Sequence, residues 1–125
     1  MKKFLCLILM AIMLSAVPAL STQWLHDKIA TVKASTDKTA DALIRTGACV
    51  FYGIVFEADG TNDVDFTVYN GLNTTGTSIS PANLTVPGTS KAYTFSADPP
   101  VYCSTGIYVD ITTVGTVNYK VYYDY

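Results

Sequence analysis

Three carboxylates and an amide crowd one short stretch, Asp59-Gly60-Thr61-Asn62-Asp63-Val64-Asp65. Hard oxygen ligands so closely spaced suit a divalent cation such as calcium, which makes Asp59, Asp63 and Asp65 candidate metal ligands. An EF-type loop needs acids at its first, third and fifth positions and a glutamate at the twelfth, and that pattern is absent. A solvated loop tip is the commoner use of such residues.

The remaining chemistry-bearing side chains are few. His26 is the single histidine and Glu57 the single glutamate, so neither a Ser-His-Asp relay nor a pair of glycosidase carboxylates has a second local signal. The expectation is a non-catalytic protein without a cofactor. Of three cysteines, Cys6 lies in an N-terminal apolar run, leaving Cys49 and Cys103 as an even pair. In an exported chain the natural reading is one Cys49–Cys103 disulfide, closing a long loop and contributing roughly 4 kcal/mol on the chain-entropy model. Two buried thiols or a metal pair are the alternatives, and one histidine with no Cys-x-x-Cys makes zinc a poor fit.

Export is suggested by the first residues. Met1-Lys2-Lys3 precedes an apolar run from Phe4 to about Val17, and Val17-Pro18-Ala19 carries small residues suited to signal-peptidase cleavage. Residues 1–19 therefore read as a signal peptide or a retained hydrophobic helix. A membrane becomes a partner only if Met1–Leu20 stays uncleaved. The formal net charge is −2, and loss of Lys2 and Lys3 makes the rest more acidic, which argues against nucleic acid.

The elements that must position these groups are strands. Residues 20–40 form a lead and first strand: a short helix or irregular piece over Ser21–Lys28, then a strand at Ile29–Ser35. Residues 41–125 form one domain, the 125-residue chain having room for no more. Its centre is Cys49–Phe56, an unbroken apolar run of strand length without alternation, so both of its faces should be covered. Ala58–Asn62 should be a hairpin loop in which Gly60 supplies a positive φ. Val64, Phe66 and Val68 alternate with Asp65, Thr67 and Tyr69, as a half-buried antiparallel strand does. Short strands are expected at Ala42–Thr46, Thr77–Ser80, Leu84–Val86 and Ala92–Ser96. Asp98-Pro99-Pro100 should forbid regular pairing. Ile107, Val109 and Ile111 alternate, and a last strand follows over Thr116–Tyr125. About 7–8 strands separated by Gly, Pro, Asn and Asp turns spell an all-β antiparallel β-sandwich, jelly-roll or Ig-like.

Nine tyrosines invite a carbohydrate-binding reading, although tyrosine at alternating strand positions is an ordinary β-former. Trp24, Tyr108 and Tyr122 are the candidates for an exposed contact surface, the last two meeting if their strands pair. Asn73-Thr74-Thr75 and Asn83-Leu84-Thr85 fit the glycosylation pattern, but the Met-Lys-Lys opening looks bacterial or phage-like, where such sequons are incidental.

Thr46–Ile54, Ala58–Asn62, Val68–Asn70, Cys103–Asp110 and Val121–Tyr123, in that order, resemble a loosely defined group of small all-β proteins found among phage and environmental-virus structural genes. The likeness runs from Thr46 to Tyr125. It implies a non-catalytic structural role, such as a decoration or surface subunit. The expectation is a subunit that binds other protein subunits, as a homo-oligomer or larger assembly. The signal peptide departs from that group, because capsid parts assemble in the cytosol, and favours a secreted or cell-surface subunit on a similar fold. A secreted carbohydrate- or calcium-binding module is the alternative.

Overall fold

The computed structural model describes residues 32–113 and 115–125. The expected signal segment or helix, with Trp24 and His26, lies outside them.

The described residues form nine strands and no helix: β1 Lys33–Ala34, β2 Ala42–Thr46, β3 Cys49–Ala58, β4 Val64–Asn70, β5 Thr77–Ser78, β6 Leu84–Val86, β7 Tyr93–Cys103, β8 Gly106–Thr113 and β9 Val117–Asp124. They make two antiparallel sheets. One runs β1-β9-β3-β7, the other β2-β8-β4-β5, with β6 also paired to β4. The sheets share one core. Phe56 of β3 meets Phe66 of β4 at 4.4 Å between ring centroids, and Tyr119 of β9 at 5.4 Å. Val64, Phe66, Val68, Ile107, Val109, Val117 and Val121 complete it from alternating positions, all fully buried. Alternation selects these residues because successive strand side chains point to opposite faces.

The links between strands correct one expectation. Asp59–Asn62 does not close a hairpin, because β3 and β4 belong to different sheets; it carries the chain across the core. Gly60 does hold the anticipated positive φ, 92°. The Asp98-Pro99-Pro100 segment also differs in kind from the expected stop. β7 continues through it, but pairing with β3 jumps from Ser96↔Gly53 to Val101↔Phe51, leaving residues 97–100 as a bulge. Prolines have no amide hydrogen to donate, so an edge strand is where they can be accommodated. Gly53 sits at this irregularity because a Cβ there would lie 2.6 Å from the Phe95 carbonyl oxygen.

β1 lies within the expected first strand, Ile29–Ser35, of which Ile29–Thr31 fall outside the described residues. It covers the edge of β9, with Lys33 opposite Tyr123 and Ala34 opposite Tyr122. Ser35 N–H then donates to the Val121 carbonyl, and Lys38 and Tyr119 exchange backbone bonds of 3.0 and 2.9 Å.

Candidate functional site

The three acidic candidates for calcium are engaged by three different parts of the fold. The Asp59 carboxylate accepts from the amides of Thr61 and Asn62 at 2.9 and 2.8 Å, from Asn62 Nδ2 at 2.9 Å and from Thr116 N–H at 3.1 Å. These donors, the Asn62 amide foremost, hold its pKa well below the ordinary carboxylate value. Asp63 accepts from Gly88 N–H at 2.8 Å, and Asp65 from the Thr85 hydroxyl at 2.6 Å. Among the described residues no group of three acidic, histidine or cysteine side chains could share an ion. The cluster works as loop staples. Sequence showed the acids but not the backbone amides they would meet.

Cys49 and Cys103 face each other in register across β3 and β7. The expected bond is not formed: both are free thiols, 2% and 0% exposed. Burial pushes Cys103 up to about 12, with its neighbour's charge adding to the effect. Cys49 is raised by burial too, despite the opposing charge of Arg45. Thiols that hold their protons so firmly are poor nucleophiles.

Tyr108 and Tyr122 do not meet. Tyr108 lies on β8 and Tyr122 on β9, in different sheets. Tyr108 stands between Leu43 of β2 and Tyr69 of β4 on the outer side of the second sheet. Tyr122 is on the outer side of the first, opposite Gly53.

It is this outer face of the β1-β9-β3-β7 sheet that gathers the unspent side chains. The register places Asp124, Val50 and Tyr102 in one row and Lys120, Val55 and Thr94 in another. Tyr102 is 65% exposed, and Val50 and Val55 are only half-buried. Beside Tyr122 the face opens into a groove of about 190 Å³, with Val55 between β9 and β7 and Asn118, Glu57, Lys91 and Lys120 around it. Asp37 closes one side through an exposed ion pair to Lys120 at 3.3 Å. Apart from Tyr122, the groove residues were not candidates on sequence. The signal for them was the missing alternation in β3, from which both faces are expected to be covered; the second sheet covers one, and on the other Val50 and Val55 are only half-buried.

The end of β9 is tied down separately. Lys33 Nζ lies 3.3 Å, and Arg45 Cζ 4.0 Å, from the Tyr125 ring centroid, so a cation from each sheet's edge strand grips one aromatic.

In comparisons with known proteins the chain matches no family model, no curated protein and no solved structure.

Proposed function

We propose that this is a non-catalytic structural or surface subunit that holds other protein subunits against the outer face of its β1-β9-β3-β7 sheet, in a virion or another extracellular assembly. One observation carries the reading. β3 carries apolar side chains on both faces, yet it is Cys49, Phe51, Ile54 and Phe56 that are buried against the opposite sheet, while Val50, beside Tyr102, and Val55, between Lys120 and Thr94, stay half-exposed. Strands that are apolar on both sides belong in sheets covered on both sides. Tyrosine is also enriched at protein interfaces. The secretory character of residues 1–19 supports an extracellular setting, and the phage-like resemblance supports a structural one.

The test is a photo-crosslinking residue at Tyr122 in the full chain, in the virion or extracellular fraction from which it is recovered, with the same residue at exposed Thr74 as control. The reading expects a defined protein adduct at 122 and none at 74. Equal or absent adducts would remove it. A glycan that binds the chain and loses binding on Tyr122→Ala would move the assignment to the carbohydrate-binding alternative.

A further inference from the structure

At one end of the molecule two crossings between the sheets run side by side. β2 passes to β3 through Gly47 and Ala48, and β7 passes to β8 through Ser104 and Thr105. The two stay paired through the bend: Thr46 lies opposite Gly106, Gly47 N–H donates to the Thr105 carbonyl at 2.8 Å, and Cys49 lies opposite Cys103. A two-stranded ribbon thus folds over from one sheet into the other, and the cysteines are its first register pair beyond the fold. We infer that this pair is a redox latch set during folding: a disulfide-exchange oxidant closes it into a Cys49–Cys103 bond when the chain folds in its presence, and the finished core then keeps whichever state was set.

The geometry accepts both states. Directly opposite residues of an antiparallel pair have Cα atoms about 4.5–5.5 Å apart, inside the roughly 4.4–6.8 Å that a disulfide spans, so closure needs no backbone movement. The structure holds the reduced form, with the thiols near enough to affect each other's ionisation. In closure, one cysteine thiolate attacks a low-molecular-weight disulfide and expels one thiol. The other thiolate then attacks the resulting mixed disulfide at the protein sulfur and expels the second. Two S–H bonds are lost, one S–S bond forms, and the oxidant leaves as two thiols carrying the electrons and protons. Timing follows from burial. At 2% and 0% exposure neither sulfur can meet an oxidant or a reductant in the finished fold, whereas both can before the second sheet covers them.

The latch falls where pairing is thin. β7 is an edge strand, and past the bulge at residues 97–100 it is held to β3 only by Val101, Tyr102 and Cys103, opposite Phe51, Val50 and Cys49. A bond here fixes that short stub and the two crossings with it. Disulfides persist outside the cell and not among cytosolic reductants, so the latch records where the chain folded.

The test unfolds the full chain in guanidinium with reductant and refolds it at pH 8 in reduced glutathione or in a mixture with oxidised glutathione. Intact mass and peptide mapping read the sulfurs, and circular dichroism reads the fold. The oxidising arm should give a chain lighter by two hydrogens, cross-linked between Cys49 and Cys103, with the strand signal of the reduced arm and a urea-unfolding equilibrium shifted about a thousand-fold toward the folded state. Each folded form, moved to the other buffer, should keep its state and convert only as fast as it unfolds. Glutathione adducts without a cross-link, a bond to Cys6, a cross-linked chain without the strand signal or without added stability, or prompt conversion of the folded forms would each overturn the inference. Both arms use the unaltered sequence, so no variant has to fold for the result to count.

Discussion

The outer faces of the two sheets obey the same alternation and differ in how far the chain's own loops cover them. On the β2-β8-β4 side, Asp65 stands opposite Thr112 and Thr67 opposite Asp110. These groups are put to use: Thr85 donates to Asp65, and the Asn83 amide to Thr67. Leu43, Tyr108 and Tyr69 form one apolar row at its end. On the β9-β3-β7 side, Val50, Val55, Tyr102 and Tyr122 occupy the equivalent outward positions, and the groove lies among them. One face is partly covered by its own loops, with Leu43 exposed at its end; the other carries the groove and is the one proposed for contact.

The sharpest way to break that comparison is to strike both faces of β3. Phe56→Ala removes a ring held between Phe66 and Tyr119 and should cost about 3–5 kcal/mol by urea denaturation. Val55→Asn, one residue away on the outer side, should cost about 1 kcal/mol of monomer stability, well below the Phe56 change, while abolishing contact through the face. A large loss of monomer stability from Val55→Asn would show that the outer side is already packed within the chain.

The interior also sets a pH limit. Cys103 keeps its proton to higher pH when folded than when unfolded, as does Tyr119, raised by burial and then by the nearby Asp41 charge. The contribution of Cys103 is complete below pH 9 and is lost as pH rises through about 12, and that of Tyr119 is complete below pH 10 and is lost at still higher pH. Melting temperatures followed from pH 8 upward should therefore fall, and Cys103→Val should remove the thiol's share of that fall. At pH 8 both buried thiols should resist alkylation in the native chain and react after unfolding, as read by peptide mapping. If denatured, unreduced protein showed neither thiol reactive, the two would be bonded after all.

The smallest effect belongs to the loop staple. Asp59→Ala should speed amide exchange at Thr61, Asn62 and Thr116 and leave the strands protected. Because hydrogen bonds hold the Asp59 pKa down, its contribution is present above the ordinary value of 3.8 and fades as pH falls below it. Acid should loosen this loop before the core.

Much of the fold was legible from local pattern. β2 and β6 fall within the residues their composition marked, Ala42–Thr46 and Leu84–Val86, and the inward set Val64, Phe66 and Val68 is fully buried. What local pattern does not hold is which strand lies beside which. Tyr108 and Tyr122 alternate alike, and only the crossovers separate them into different sheets. The same gap turned Asp59–Asn62 from a hairpin into a crossing. The candidate face was half legible: the unbroken run in β3 marks apolar residues on its outer side, which the chain leaves half-buried, but Tyr102, Asn118 and Lys91 reach that side through pairing and loop return, which no short window of sequence contains.

Hydroxyl-radical footprinting of the tyrosines tests the contrast between the faces most directly, comparing the dilute chain with its assembled form. The account predicts that assembly protects Tyr102 and Tyr122 while Tyr69 and Tyr108 keep their labelling. Protection of Tyr69 and Tyr108 instead, or uniform labelling of all four in both states, would contradict it.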